Sequence, residues 1–249
     1  MLLFHCTKDA IEALTATHQG KTHCWVDNAS LPEGAQPWGW QLHAVKIARR
    51  QVLVAMHGDT RFVMVFWGLK KGDGKTLLSM FYERVANHLV WMTADSDVMD
   101  GAAVRNMFDR LMRSHGQFRF HAGSDRSVQA HINEVVRLCR QAVADNDGAF
   151  PDDCEQAGMF DEFLNQGIRR VKGGDYFVPA DAWLSACLRD FADFDAEALA
   201  QLHQRRRAQR QQAMAEQLLQ AAKDRGLSPD DPAYVQMVQW LEHAKERVY

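Results

Sequence analysis

Two nearly continuous apolar runs constrain the fold of this 249-residue chain more than any other feature. Residues 51–56 and 61–67 are rich in valine, methionine and aromatic side chains, and the segment HGDT at 57–60 separates them. Such runs predict β-strands, and the short Gly/Asp spacer predicts a hairpin. Because neither run alternates apolar with polar residues, we expect both faces of the hairpin to be covered and the hairpin to lie centrally, not at an exposed edge.

Helical and extended patterns surround the hairpin. Residues 2–6 predict a strand, Thr7 predicts the cap of the next helix, and residues 117–121 predict another strand. Apolar residues at steps of three and four predict helices around 77–93, 104–111, 128–139, 152–163 and 183–188. We assign Ser124 as the cap of the third of these helices, and 21–41 as an irregular connection between short strands. The whole predicts an α+β fold with a small, mostly antiparallel sheet centred on the 51–67 hairpin and packed by helices.

The composition changes after about residue 195, where no strand pattern remains. Residues 201–212 are polar almost all round, which is typical of a helix that projects into solvent or bridges to a partner. Gly226 ends that helix, and Ser228-Pro229 opens another. We therefore predict an α+β domain at 1–192 and a helical extension, an αα-hairpin, at 193–249.

Charge and cysteine usage narrow the class of protein. The chain has 29 Lys+Arg against 32 Asp+Glu, so a whole-surface field that attracts polyanions is excluded, although a local patch is not. No apolar run approaches the roughly 20 residues that span a bilayer, and no secretory signal is recognisable. The five cysteines are an odd number and widely spaced, which favours free thiols in a reducing compartment. We expect a cytoplasmic protein without a membrane partner.

A polar set surrounds the predicted hairpin. Its members are Lys8, Arg49, Arg50, His57, Asp59, Thr60 and Arg61, with Trp25, Trp38 and Trp40 nearby in sequence. Guanidinium groups bind phosphate and indole rings stack on bases, so the set fits a nucleotide or a nucleic-acid end. In that interpretation Lys8, Arg49, Arg50, Thr60, Trp38 and Trp40 bind the ligand, and His57 or Asp59 is the acid/base candidate. The alternative is structural: strand-flanking charges, turn residues and core tryptophans.

The arginines of the tail form a second basic group. Its members are Arg205, Arg206, Arg207 and Arg210, interspersed with glutamines. They are candidates for a contact along a nucleic-acid backbone. Successive residues of a helix are about 100° apart, however, so three consecutive arginines do not form one face. A solvated helix or an oligomer contact is the alternative.

Three segments together look familiar. Phe4-His-Cys-Thr-Lys8 leads into a helix, a tryptophan-rich stretch precedes Arg49-Arg50, and the hairpin turn ends at Thr60. They resemble an uncharacterised bacterial family of small α+β proteins, a domain of unknown function, over about residues 1–190. The resemblance implies that Cys6, Thr7, Lys8, Arg49, Arg50 and Thr60 belong to a shared domain, and it implies no reaction. The chain departs from the pattern at His57, where Asn is expected, and in its tail.

Two further motifs give weaker evidence of a binding site. Gly68–Thr76 resembles a phosphate-binding loop, but Leu69 stands where a Walker loop requires glycine, so we interpret it as a solvated loop with Asp73 or Gly74 near the helix cap. The dipeptides His5-Cys6 and His23-Cys24 offer zinc ligands, but neighbouring strand residues face opposite sides. We therefore expect no metal and no cofactor.

Three functional hypotheses follow. The first is a binding module for a nucleotide, a nucleic acid or a protein. The second is an enzyme for a phosphate-containing substrate, which requires His57, Asp59 and the arginines to converge on one pocket. The third is a homo-oligomer paired through the C-terminal helices, which would bury Met214, Leu218, Met237 and Leu241 between chains.

Overall fold

The computed structural model describes residues 1–29, 38–151, 153–226, 231–232, 234–236 and 238. The strands are β1 (Leu2–Cys6), β2 (Thr15–His18), β3 (Lys21–Cys24), β4 (Val26–Asp27), β5 (Trp38–Ile47), β6 (Arg50–His57), β7 (Val63–Trp67), β8 (Phe118–Ala122), β9 (Arg169–Arg170) and β10 (Tyr176–Phe177). The helices are α1 (Lys8–Ala13), α2 (Gly74–Asp95), α3 (Gly101–His115), α4 (Arg126–Asp145), α5 (Cys154–Gln166), α6 (Pro179–Ala192) and α7 (Ala196–Asp224).

The main sheet has six strands in the order β4-β8-β1-β5-β6-β7. β1 pairs in parallel with β5 and β8, and β4 pairs in parallel with β8. β5, β6 and β7 are antiparallel neighbours, and β2–β3 and β9–β10 form two small antiparallel pairs. The predicted α+β class is confirmed. The main sheet itself is mixed and less antiparallel than predicted, because β5 and the predicted hairpin form its antiparallel half and the N-terminal strand pairs in parallel with distant segments.

Strand β5 was missed where the sequence suggested an irregular connection. It begins at Trp38 and joins β6 through a tight turn in which Ala48 and Arg49 have φ values of +45° and +67°. Ile47 pairs with Arg50 across this turn. Positive φ at both central residues is the geometry of a hairpin turn that usually carries Gly or Asn. No such residue marks the turn here, which explains why the pattern gave no signal.

Strand β7 lies at the edge of the main sheet, so the prediction of a wholly central hairpin is wrong for its second strand. Helix α5 covers this edge with two buried side chains. Asp161 Oδ1 accepts the Val65 N–H at 2.9 Å, and Asn165 accepts the Val63 N–H at 2.8 Å and donates to the Val63 carbonyl at 2.7 Å. Side chains thus replace a neighbouring strand, and the edge can remain apolar without exposing backbone donors.

Helices α2 and α4 cover opposite faces of the main sheet. The apolar stripe of α4, including Ile132 and Cys139, packs on inward residues of β6 and β7 such as Val54. On the other face, the Phe81 ring of α2 meets the Phe4 ring edge-on at 5.0 Å. The structure corrects one boundary. Asp125, not Ser124, caps α4, because its carboxylate accepts the N–H groups of residues 127 and 128.

The chain separates into two compact units, Met1–Phe194 and Asp195–Tyr249. In the second unit α7 begins at the cap residue Asp195, whose side chain accepts the Ala198 N–H, and it ends before Gly226. The second helix predicted for the tail, with Met237 and Leu241, lies outside the described residues. The division into independent domains therefore stays a prediction.

Among the helices of the described residues, none is long and apolar enough to cross a membrane.

Candidate functional site

A cavity of about 760 Å³ lies where β6 ends and the turn to β7 begins. It is lined by residues of three kinds, aromatic, titratable and small. They are Met1, Trp38, His57, Asp59, Thr60, Ser114, His115, Phe177, Ala182, Ala186, Arg189, Asp190 and Phe191. We call this space the His57 cavity. Four of them, Trp38, His57, Asp59 and Thr60, come from the set predicted around the hairpin, and the others come from α3, β10, α6 and the chain start.

The His57 ring is fixed by the turn that follows it. The Thr60 N–H donates to His57 Nδ1 at 3.2 Å, and the Thr60 hydroxyl lies 3.0 Å from the same nitrogen. Because Nδ1 accepts the backbone N–H, the neutral ring carries its proton on Nε2 and can donate there. His57 is only 5% exposed, and burial lowers its pKa to about 4. At neutral pH the ring is therefore an uncharged hydrogen-bonding group.

His115 is a second neutral imidazole beside the same tryptophan. The Trp38 ring centroid lies 5.9 Å from that of His57 and 5.7 Å from that of His115. Burial, and after it the positive amino group of Met1, lowers the pKa of His115 to about 4. Phe191 closes this side, with its ring edge-on to His115 at 5.5 Å. One wall is thus aromatic and carries two uncharged imidazoles.

The polar part of the lining is close to charge balance. Arg189 Nε donates to the Asp190 carboxylate at 2.7 Å, and both residues are exposed. That hydrogen bond and the charge of Asp190 raise the pKa of Arg189. Asp59, also exposed, adds a carboxylate from the turn. With the amino group of Met1, which donates to the Ser114 carbonyl, the lining carries two positive and two negative groups. Because Arg189 is already paired and two carboxylates are present, a polyphosphate is disfavoured.

Three predicted ligand residues lie elsewhere. Arg50 stands at the other end of β6 from His57, seven residues away and therefore about 23 Å along an extended strand. Its guanidinium lies over the Phe150 ring at 5.2 Å, beside a separate cavity of about 360 Å³. Arg49 is exposed in the β5–β6 turn. Lys8 is exposed beyond the carboxyl end of β1, whereas the His57 cavity adjoins its amino end, where Leu2 pairs with Trp38.

Trp40 does not line the cavity. It is fully buried, and its ring packs edge-on against Phe81 at 4.9 Å and against His57 at 5.3 Å. It therefore supports the wall from behind, as the core alternative for the tryptophans expects.

In the tail, Arg205 and Arg207 are exposed and Arg206 is buried within α7. Arg210 is half-buried. These four side chains do not form one continuous exposed stripe. Their role as a nucleic-acid contact stays a prediction.

The loop that resembles a phosphate-binding motif is filled by the protein itself. Asp73 caps α2 and accepts the Thr76 N–H at 3.1 Å, and Trp25 Nε1 donates to the Gly72 carbonyl at 2.8 Å. A Cβ on Gly74 would come within 2.6 Å of the Trp25 ring, so this glycine permits a close approach of the indole. The interpretation as a capped loop is confirmed at Asp73.

The cysteines and histidines of the first strands do not assemble into a ligand set. All five cysteines are free thiols, with Cys6 buried and Cys24 exposed. Burial raises the pKa of the Cys6 thiol to about 12. Across the ranges that the structure describes, no group of three or more His, Cys, Asp or Glu side chains is placed to hold a metal ion.

Sequence reasoning missed the α3 and α6 side of the cavity. No motif links these residues to the hairpin, and the first of them is 48 residues beyond its end at Trp67; they are His115, Arg189, Asp190 and Phe191. Their helices were predicted from apolar stripes, but which polar residues face the turn depends on packing of α3 against α6. No local signal would have found them.

A family model described as a domain of unknown function, DUF6933, matches residues 3–182, which is well over half of the chain. This confirms the resemblance to an uncharacterised domain family. No curated protein and no solved structure matches the chain. The last four lining residues of the His57 cavity, from Ala186 to Phe191, lie beyond the matched range.

Proposed function

Since the chain belongs to the DUF6933 family, a domain of unknown function, we propose from the site itself that it is a binding module for a small, flat, uncharged heteroaromatic molecule of the nucleobase or nucleoside class. The His57 cavity, with two neutral imidazoles beside Trp38, is the observation that carries the proposal. Its volume lies within the roughly 300–1,000 Å³ of small-molecule sites.

The lining supports this ligand class. Aromatic side chains provide apolar surface for a flat ring, and the Nε2–H of His57 and the carboxylate of Asp59 provide a donor and an acceptor. Nucleobases carry donors and acceptors at their edges, so they match such a wall. The phosphates of a nucleotide would find Arg189 already paired with Asp190.

Binding is favoured over catalysis by the state of the imidazoles. A general base works best when its pKa is near the working pH. Burial holds the pKa of His57 and of His115 at about 4, so both are weak bases at neutral pH. The enzyme hypothesis also required Arg49 and Arg50 at the same pocket, and they lie at the far end of β6. The nucleic-acid and homo-oligomer hypotheses for the tail stay predictions.

Isothermal titration of the full chain with the common ribonucleosides tests the proposal. We expect at least one nucleoside to bind, and Asp59→Ala and His115→Ala each to weaken its binding by roughly fivefold or more, because the first removes a hydrogen-bond acceptor and the second removes a ring from the aromatic wall. Asp175→Ala, which changes an exposed carboxylate outside the cavity lining, is the matched control. The proposal is wrong if no nucleoside binds, or if binding is indifferent to both cavity variants.

A further inference from the structure

Two buried arginines lie outside the His57 cavity, and neither forms an ion pair with another residue of the described ranges. Arg61 is 5% exposed and Arg169 is 6% exposed. Each makes one side-chain hydrogen bond: Arg61 Nη2 donates to Ser127 Oγ at 3.1 Å, and Arg169 Nη2 donates to the Leu164 carbonyl at 3.3 Å. Within the described part of the chain, Arg61 Nε and Arg169 Nε and Nη1 are buried without a hydrogen-bond partner. Neither arginine is in an ion pair with a described carboxylate.

The fold brings the two arginines to one place. Arg61 ends the β6–β7 turn with φ of +58°, two residues before Val63. Asn165 clamps Val63 by two hydrogen bonds, which fixes the end of α5 beside the turn, and Arg169 follows four residues later. His131 of α4 lies close enough to both cations for each of them to lower its pKa, and it hydrogen-bonds to the backbone of residue 170. We call Arg61 and Arg169 the arginine pair.

The described carboxylates nearest the arginine pair form no ion pair with it. The charges of Asp125 and Asp59 act to raise the pKa of Arg61, and the charge of Glu134 acts to raise that of Arg169. The Asp125 oxygen Oδ1 already accepts the N–H groups of residues 127 and 128 as the cap of α4. Glu134 is exposed. Burial lowers the pKa of both guanidinium groups, yet arginine remains charged at neutral pH.

A buried, charged guanidinium with unsatisfied N–H groups is unfavourable unless acceptors and negative charge are supplied. Water supplies acceptors without charge, a carboxylate offsets one cation, and a phosphate supplies several acceptors and up to two negative charges. We propose that the arginine pair binds a phosphate group, either free phosphate or the phosphoryl group of a small molecule. Ser127, which accepts a hydrogen bond from Arg61, and Arg170, which follows Arg169, are both exposed, so the pair lies near the surface. A free or terminal phosphate group is small enough to be enclosed there, whereas the continuous backbone of a nucleic acid would not reach donors buried to this depth.

This site is distinct from the His57 cavity, although one turn serves both. Asp59 and Thr60 line the cavity, whereas the next residue, Arg61, reaches Ser127 at the start of α4. The proposed phosphate site therefore does not depend on the proposed function. A nucleoside without phosphate tests one, and inorganic phosphate tests the other.

The test is titration of the full chain, dialysed free of phosphate, with inorganic phosphate by calorimetry. Thermal unfolding in phosphate and in chloride of equal ionic strength follows it. We expect saturable binding and a higher Tm in phosphate. Arg61→Met and Arg169→Met should each weaken phosphate binding by roughly tenfold or more, because each removes a charged donor. Arg140→Met, which changes an exposed arginine of α4, should leave binding unchanged.

Phenyl phosphate distinguishes the two sources of the group. Tighter binding of phenyl phosphate than of inorganic phosphate would assign the site to an organic phosphate, and the reverse order would assign it to the free ion. The proposal is overturned if the wild-type chain binds neither probe, and this measurement stands even if the methionine variants fail to fold. It is also overturned if binding survives both substitutions.

Discussion

In the described part of the unit Met1–Phe194, arginine side chains are buried at two places, and a carboxylate forms an ion pair at only one of them. Under strand β7, Arg84 Nη1 lies 2.5 Å from Asp161 Oδ2 in a pair that is almost wholly inaccessible to solvent. Beside the β6–β7 turn, Arg61 and Arg169 are buried to a similar degree, and the described residues place no carboxylate in an ion pair with either. Arg84 Nε is also buried without a hydrogen-bond partner among the described residues, so unsatisfied donors occur at both places. The two places differ in negative charge, because, of these three arginines, only Arg84 is in an ion pair with a described carboxylate.

The difference distinguishes a network that stabilises the fold from a site that we propose binds a ligand. Asp161 does three things at once, because it pairs with Arg84, lies 3.4 Å from His88 Nε2 and accepts the Val65 N–H of the edge strand. The Arg84 guanidinium also lies over the Phe66 ring at 5.9 Å. This network holds α2 and α5 on β7. The arginine pair holds no comparable network, which leaves its charge for an outside group.

The largest effect is expected when the closed network is opened. Asp161→Asn keeps an oxygen for the Val65 N–H but removes the charge, which leaves Arg84 buried and uncompensated. We expect the free energy of unfolding to fall by about 3–5 kcal/mol in urea denaturation. Glu162→Gln, the exposed neighbour, should change it by less than about 0.5 kcal/mol. A loss below about 1 kcal/mol for Asp161→Asn would show that the pair is not what completes this region.

A second substitution should return part of that loss. Arg84→Met added to Asp161→Asn removes the uncompensated cation and retains an apolar side chain beside Phe66. We expect the double variant to be about 2 kcal/mol more stable than Asp161→Asn alone, since a buried ion pair is often replaceable by apolar groups. A double-mutant cycle in urea measures the coupling. Additive losses would mean that Arg84 stabilises the fold through packing and not through Asp161.

Removing one cation of the arginine pair should not destabilise the fold. In buffer free of phosphate, Arg169→Met removes a buried cation that has no ion-pair partner among the described residues. We expect a free energy of unfolding within about 1 kcal/mol of the wild type, or above it. Urea denaturation in chloride measures this. A loss as large as that of Asp161→Asn would abolish the distinction between the two regions.

The sequence predicts those features of the fold that depend on neighbouring residues, and it does not predict those that depend on contacts between distant residues. The hairpin, the strand at β1 and the apolar stripes of α2 and α4 are local patterns, and each is present in the structure. The position of β7 at an edge could not be inferred from its composition. Its apolar run is compatible with an edge only because Asp161 and Asn165, about 100 residues later, satisfy its backbone.

The candidate sites show the same limit more strongly. Proximity in sequence grouped Arg49, Arg50 and His57, but an extended strand carries its two ends apart, so they face different surroundings. Arg61 belonged to the predicted set, yet its significance lies in its burial and in Arg169, a residue that no motif connects to it. Residue types that bind anions can be read from a sequence, whereas their convergence is a property of packing.

The smallest effect expected is a change in the titration of His131. Burial, the charge of Arg169 and then that of Arg61 lower its pKa, while Glu134 and the backbone of residue 170 act in the opposite direction. Because the folded-state pKa lies below the ordinary value of about 6.5, the folded state binds fewer protons, and stability from this group is lost as the pH falls below that value. A phosphate at the arginine pair would offset the two cations, so the pKa of His131 should rise when phosphate is added. Carbon–proton NMR of the imidazoles measures this shift, with His43 as the internal control that phosphate should not move. In Arg169→Met the pKa of His131 should already be higher without phosphate and should no longer respond to it. A His131 signal indifferent to both changes would place the ion elsewhere.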